Sequence, residues 1–149
     1  MASAFIYDGH STTIDFDVAS GVTLTSYFRE MQVTPPSMIG GGENDTTTMR
    51  NTTWRTKQPK KLFSLGTMTF TASYNPEVYD IILDELLNVN GLITLTFSDG
   101  STYAFYGWVD EFAPDAAEEG KMPTATCTII CSNQTTAGVE TDPVFTAAA

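Results

Sequence analysis

The stretch GTMTFTASY, residues 66–74, alternates strictly between small hydroxyl residues and apolar ones. Successive side chains of a β-strand point to opposite sides. One side of this strand would therefore carry threonine and serine, and the other would bury Met68, Phe70 and Ala72. This alternation predicts an antiparallel strand with one dry and one wet face.

Threonines recur at the same spacing in three other stretches, near residues 22–33, 92–96 and 122–131. Several such strands predict a mainly β domain with one broad polar surface. That surface is either an ordinary solvated face or the lining of a functional cavity, and periodicity alone leaves both interpretations open. The candidate lining residues are Thr23, Thr25, Thr67, Thr69, Thr71, Thr124, Thr126 and Thr128.

Turn residues divide the rest of the chain into further strands. Asp8-Gly9 and Asp99-Gly100 predict two hairpins, and Pro35-Pro36 predicts the end of a long strand that begins near residue 21. The sequence PTATCTIICS, residues 123–132, reads as the last strand. Residues 133–149 have no such pattern, and we expect a loose C-terminal tail there.

One helix is predicted, over residues 75–91. Asn75 is a suitable N-cap, Pro76 suits the first helical position, and Gly91 suits the position just past the end. Ile82 and Leu86 belong to its apolar stripe, and we expect Trp108 to pack beneath them together with Phe105 or Phe112.

Size and composition favour one domain without catalytic chemistry. A chain of 149 residues with 42% hydrophobic content suits a single core, and it has no stretch of membrane-spanning length, so we expect a soluble protein. The nucleophile, metalloprotease and phosphate-loop motifs are absent, which argues against an enzyme. Cys127 and Cys131 lie four apart on a predicted strand, too far apart for a disulfide. With His10 they are too few for a zinc site, and we expect no cofactor.

Charge separates one segment from the rest of this acidic chain. The net charge is −11, yet residues 46–76 contain five basic side chains and no acidic one. The remainder holds two basic and 18 acidic groups, which gives −16 outside the segment and +5 within it. An acidic body would repel a nucleic acid, so the asymmetry favours self-association. The residues concerned are Arg50, Trp54, Arg55, Lys57, Lys60 and Lys61.

The order of these features resembles the major tail tube proteins of long-tailed bacteriophages. The resemblance covers roughly residues 20–132: the Thr-rich run GGGENDTTTMRNTTWRTKQPKKL, then GTMTFTASYNPE, the helix, ITLTFSDGSTYAFYGWVDEF and PTATCTIIC. It implies a single tail tube domain over residues 1–132, a β-sandwich or barrel-like fold with one flanking helix, and a long arm loop over about residues 35–63.

The resemblance also implies a function. Members of this family form hexameric rings whose inner sheets merge into a β-barrel, and the rings stack into the tube through which DNA leaves the capsid. Implied partners are further copies of the chain, the tape measure protein, and terminator and baseplate or tip proteins. DNA would pass without specific binding, and no membrane is involved. The protein would lie in the virion tail after assembly in the host cytoplasm.

The arm would then contact neighbouring subunits or rings, and we expect it to become ordered on assembly because it has little apolar surface of its own. A monomeric β-sandwich module that binds sugar or peptide would show similar strands and exposed aromatics such as Tyr103, Tyr106 and Trp108. The state of association distinguishes the two hypotheses.

Overall fold

The structure, a computed structural model, describes residues 12–17, 30–74, 76, 80 and 87–147. Strands dominate these residues, as the alternating patterns predict. They are β1 Thr13–Asp17, β2 Glu30–Thr34, β3 Met38–Ile39, β4 Glu43–Asp45, β5 Lys57–Pro59, β6 Ser64–Leu65, β7 Met68–Ser73, β8 Gly91–Thr96, β9 Thr102–Pro114, β10 Thr124–Cys131 and β11 Val144–Thr146.

Seven strands form one antiparallel sheet in the order β1-β8-β9-β10-β7-β2, with β11 paired to β9. The sheet curls into a half-barrel, which confirms the predicted mainly β, barrel-like class. Two small ladders, β3–β6 and β4–β5, lie outside it and belong to the chain between β2 and β7.

The core lies on one face of the large sheet. Alternate side chains of β7, β8 and β10 are buried, and those between them are half-buried. Phe16 of β1 and Phe105 of β9 join Cys127 of β10 and Phe70 of β7 in a single apolar cluster. The buried side chains of neighbouring strands therefore form one continuous core.

Strand β9 links the two halves of the sheet. Its residues 102–107 pair with β8, whereas residues 107–114 pair with β10. Gly107 lies at the change of partner, and a Cβ there would lie 2.5 Å from the carbonyl oxygen of Ile130. The register shifts by one residue beside Asp110, a β-bulge that adds to the local twist.

Several boundaries agree with the sequence. β2 ends at Thr34, immediately before Pro35, and the β8–β9 hairpin turns through Asp99 and Gly100, whose φ is 88°. Pro76 and Asp80 are helical, as predicted, but the predicted helix end beside Gly91 is wrong: residues 87–90 are not helical, Leu87 forms a bridge with Val109, and Gly91 begins β8. The other residues from 75 to 86 lie outside the described residues, as does the predicted hairpin around Asp8-Gly9.

Two predictions differ from the structure: the position of Trp108 and the loose C-terminal tail. Phe105 is in the core as predicted, but Trp108 is half-buried on the opposite face of β9, because it is an odd number of positions away from Phe105. Ile82 and Leu86 lie outside the described residues. The segment predicted as a loose tail contributes β11, whose Phe145 ring lies 6.2 Å from that of Tyr103.

Both cysteines are free thiols on β10, as expected. Burial raises the pKa of Cys127 to about 12 and that of Cys131 to about 11. No helix in the described part of the chain is long and apolar enough to cross a membrane.

Candidate assembly surfaces

The polar face of β7 and β10 brings together most of the predicted lining residues. We call it the hydroxyl face and define it by Thr69, Thr71, Ser73, Thr124, Thr126 and Thr128. Thr71 is paired in register with Thr126, and Thr69 with Thr128. Directly paired residues of antiparallel strands share a face, so the hydroxyls form rows across the two strands.

The rows continue onto the neighbouring strands. Thr34 and Gln32 of β2 pair with Thr69 and Thr71, and Glu111 of β9 pairs with Thr128. These three residues extend the hydroxyl face, although the sequence analysis did not select them. Their cross-strand register depends on pairing that single-strand periodicity does not reveal.

The hydroxyl face is neutral to acidic. Asp115, just past β9, accepts hydrogen bonds from Thr124 Oγ1 at 2.7 Å and from Thr126 Oγ1 at 3.4 Å. Among the described residues, no strand of the large sheet contains lysine or arginine. A polyanion on this face would therefore meet hydroxyls and carboxylates, and the described strand residues offer no cation with which it could form an ion pair.

The other three predicted lining residues are not among those that define the hydroxyl face. Thr67 is exposed and precedes the first residue of β7 by one position, so it is outside the sheet. Thr23 and Thr25 lie outside the described residues. The hydroxyl face is thus defined by the β7–β10 pair and its neighbours.

The arm, residues 35–63, is built as a hairpin in the single chain. Strands β4 and β5 are exposed along their whole length and pair between Glu43–Pro59 and Asp45–Lys57. The pairing extends by a bond from Lys60 N–H to Gly42 O at 3.0 Å and one from Thr46 N–H to Thr56 O at 2.9 Å. The arm was expected to become ordered only on assembly, but in the single chain it has its own hydrogen-bonded framework.

Polar side chains supply that framework at the arm tip, which we define as residues 46–56. The Asn51 side-chain amide donates to the Trp54 carbonyl at 2.8 Å, and the Thr56 N–H donates to Thr47 Oγ1 at 3.0 Å. Threonine and asparagine satisfy the turn in place of apolar contacts. Composition alone does not reveal this hydrogen-bonded turn, because the same residues also suit an unstructured loop.

Two of the basic arm residues are paired within the arm. Lys57 Nζ lies 2.7 Å from Glu43 Oε1, and Arg55 Nη1 lies 3.4 Å from Asp45 Oδ2. Hydrogen bonds from the Thr47 hydroxyl and backbone, with Lys57 and Arg55 nearby, hold the pKa of Asp45 below its ordinary value. Because both pairs are exposed to solvent, each contributes little to stability.

The other arm residues have different surroundings. Arg50, Lys60 and Lys61 make no salt bridge within the described part of the chain. Trp54 projects from the tip with 81% of its surface exposed. The six predicted arm residues are therefore two cations paired within the arm, three cations without a salt bridge among the described residues, and one exposed aromatic.

The large sheet ends in β1 on one side and in β2 on the other. β1 pairs with β8 and β2 pairs with β7, and neither has a second partner strand among residues 12–17, 30–74 and 87–147. Open strand edges offer unpaired backbone groups to another chain.

The same described residues contain no group of three metal-ligating side chains.

No protein-family model matches the chain, and no curated protein sequence matches it. Its fold is similar to that of a chain in the cryo-EM structure of the anti-feeding prophage (AFP) baseplate, 6-fold symmetrised. The TM-score is 0.67 at 10% identity, covering 99% of this chain and 98% of that chain. A chain in the tail of an empty GTA particle, refined helically in C6 symmetry, gives 0.62 at 12% identity over 95% and 100%. Similarity at this level of identity shows a shared fold over nearly the whole chain.

Proposed function

We propose that this chain is a structural subunit of a phage-tail-like particle, and that it polymerises as stacked hexameric rings into a tail tube through which DNA is ejected. The observation that carries the proposal is the curled half-barrel sheet, whose two end strands, β1 and β2, each have one partner strand among the described residues. Its fold is shared, over almost its whole length, with chains of a baseplate and a tail that have six-fold symmetry.

The open edges provide the ring contact. Edge β2 of one copy lies against edge β1 of the next, so that backbone groups left unpaired in one chain pair between chains. The two edges differ, which makes the contact heterologous. A heterologous contact repeated by a fixed rotation closes into a ring, and sixfold closure produces a barrel with no free edge.

The hydroxyl face lines the channel. Thr69, Thr71, Thr126 and Thr128 present small neutral groups there, and Glu111 adds negative charge. The described strand residues of this wall include no lysine or arginine to hold phosphate by an ion pair, so DNA slides past it without specific binding. The role contains no chemical step.

The arm joins subunits between or within rings. Arg50, Lys60 and Lys61 make no salt bridge within the described residues, which leaves them available to the acidic body of another copy. Further partners are the tape measure protein inside the growing tube, and terminator and baseplate or tip proteins at its ends. The protein is then a component of the virion tail, assembled in the host cytoplasm.

Sedimentation velocity and negative-stain microscopy of the purified chain test this function. The proposal predicts rings of six subunits at low concentration and tubes at high concentration. A chain that stays monomeric at the highest attainable concentration contradicts it. That result would favour a monomeric module that binds sugar or peptide.

A further inference from the structure

An apolar groove lies at the root of the arm. Its volume is about 680 Å³. It lies between the arm root, by which we mean residues 38–40 and 61–65, and residues 140–143, which precede β11. The apolar side chains that line it are Met38, Ile39, Leu62, Phe63 and Leu65. This volume is within the usual range for a site that encloses a bound group.

The groove is exposed in the single chain. Leu62 and Phe63 each have 80% of their surface exposed, which is unusual for two consecutive large apolar residues. Contiguous exposed apolar surface of this kind marks a contact site more often than it marks free surface. The side chains are held there because β3 and β6 pair on one side and residues 140–143 flank the other.

The arm tip carries a matching apolar group. Trp54 is 81% exposed and Met49 is fully exposed, so the tip presents two large side chains without burying them. Aromatic anchors that enter a pocket dominate the energy of many protein interfaces. Trp54 has the shape and chemistry of such an anchor.

The tip cannot reach the groove of its own molecule. The β4–β5 ladder and its flanking hydrogen bonds pair the arm from Gly42 and Lys60 up to Thr46 and Thr56. At about 3.3 Å per residue, the paired strands hold Trp54 roughly 20 Å from Lys61 at the groove. Any arm tip that occupies the groove therefore belongs to another molecule.

We propose that the groove of one copy receives Trp54 and Met49 from the arm tip of a second copy, an inference that rests on the proposed self-assembly. Charge supports this occupant. Glu140 and Asp142 contribute two carboxylates to the groove against the single ammonium of Lys61, and Arg50 of the tip makes no salt bridge within the described residues. The tip thus brings both an apolar anchor and a complementary cation.

The contact has a direct consequence for assembly. Tip and groove are different surfaces of the same chain, so each copy donates one contact and accepts another. Repetition links copies head to tail, and a fully exposed tip on a free subunit becomes buried at every junction.

Three variants at exposed positions test the energy of the contact. Trp54→Ala removes the anchor, and Leu62→Lys removes apolar groove surface while placing a cation opposite Arg50. We expect each to raise the protein concentration needed for assembly at least about tenfold, since anchors of this kind dominate interface energy. Met122→Lys, at an exposed apolar residue of the loop after β9, is the matched control and should assemble as the wild type does.

Cross-linking between two pools of protein tests the geometry. Copies with Thr53→Cys are mixed with copies with Thr141→Cys, and oxidation should yield a disulfide between them. Thr53→Cys mixed with Glu118→Cys should not cross-link. The native thiols do not compete, because burial raises the pKa of Cys127 and of Cys131.

The outcomes separate this inference from the proposed function. Normal tubes from Trp54→Ala, with no Thr53–Thr141 cross-link, overturn the groove contact and leave the tail tube intact. A cross-link without rings or tubes supports the contact and overturns the tube. Monomers that do not cross-link overturn both, and tubes that cross-link and depend on Trp54 support both.

Discussion

Gly107 of β9 pairs with both neighbouring strands, with Gly91 of β8 on one side and with Cys131 of β10 on the other. Its backbone packs against the carbonyl oxygen of Ile130 and against Cys131 of β10, leaving no room for a side chain. Glycine within a strand often marks such a close approach or a corner. At residue scale, the close approach of β9 to β10 at this position therefore requires a residue without a Cβ.

Gly107→Ala should destabilise the fold by about 1–3 kcal/mol, because the new methyl group meets backbone that cannot swing away. Urea unfolding measures the change. Gly40→Ala is the control, since a Cβ at Gly40 has nothing within 4 Å. Equal stability of both variants would mean that β9 and β10 are not in close backbone contact.

Asp99 contributes a pH-dependent element to the β8–β9 turn. Its Oδ1 accepts hydrogen bonds from the Ser101 hydroxyl at 2.6 Å and the Ser101 N–H at 2.9 Å. These bonds, with the hydroxyl bond first, lower the pKa of Asp99 from 3.8. Stability from a lowered carboxyl pKa is present above the unfolded value and is lost as the pH falls through the folded value.

Asp99→Ala should therefore be less stable than the wild type at about pH 7, and the difference should shrink as the pH falls toward about 2. Thermal unfolding across this range measures it. Glu119→Ala, at an exposed carboxylate of the loop after β9, should show no comparable trend. A difference that is constant with pH would show that the Asp99 charge does not stabilise the turn.

At element scale, the arm is a hairpin that carries charge outward from the sheet. Between residues 35 and 63 it has five basic and two acidic side chains, a net charge of +3. The Lys57–Glu43 and Arg55–Asp45 pairs lie across the β4–β5 ladder, while Arg50, Lys60 and Lys61 supply the excess charge. The arm thus combines internal ion pairs with a net positive charge.

Reversing Arg55 and Lys57 to Glu should barely change the melting temperature of the monomer, because exposed pairs contribute little. Stacking into tubes should be abolished or sharply slowed, since the arm becomes net negative against an acidic neighbour. Light scattering follows the assembly.

A quadruple exchange, which adds Glu43→Lys and Asp45→Lys, restores both the internal pairs and the net charge, and it should restore assembly. Tubes of normal length and rate from the double reversal alone would contradict an electrostatic role for the arm.

The elements differ in how far the sequence could predict them. The faces of β7, β8 and β10 follow from a period of two, which each strand carries within itself. β11 and the small β3–β6 and β4–β5 ladders were missed, because short exposed strands have no buried face to leave a pattern. The hydroxyl face was partly predicted: Thr69 and Thr71 stood out, whereas Gln32 and Glu111 join it through pairing between distant residues.

At the scale of the whole molecule, the charge asymmetry has a consequence for the proposed channel. Six copies at −11 each carry about −66, while screening over roughly 8–10 Å keeps that field local. The described strands of the sheet add no cation, so passing DNA meets repulsion and hydroxyls. The proposed wall is thus suited to sliding.

Thr69→Lys with Thr71→Lys should leave tubes intact and slow DNA release from assembled particles at low salt, because the new cations bind phosphate. Release kinetics measure the effect. Thr69→Gln with Thr71→Gln adds length without charge and should release DNA at the normal rate. Unchanged kinetics in the lysine variant, with tubes confirmed, would place the hydroxyl face away from the channel.

A cryo-EM reconstruction of the assembled wild-type chain tests the tail tube proposal most directly. We predict rings of six subunits, β1 of each copy paired with β2 of the next, and Thr69, Thr71, Thr126 and Thr128 facing a central channel. An assembly without sixfold rings, or one in which these threonines face outward, would contradict the proposed function.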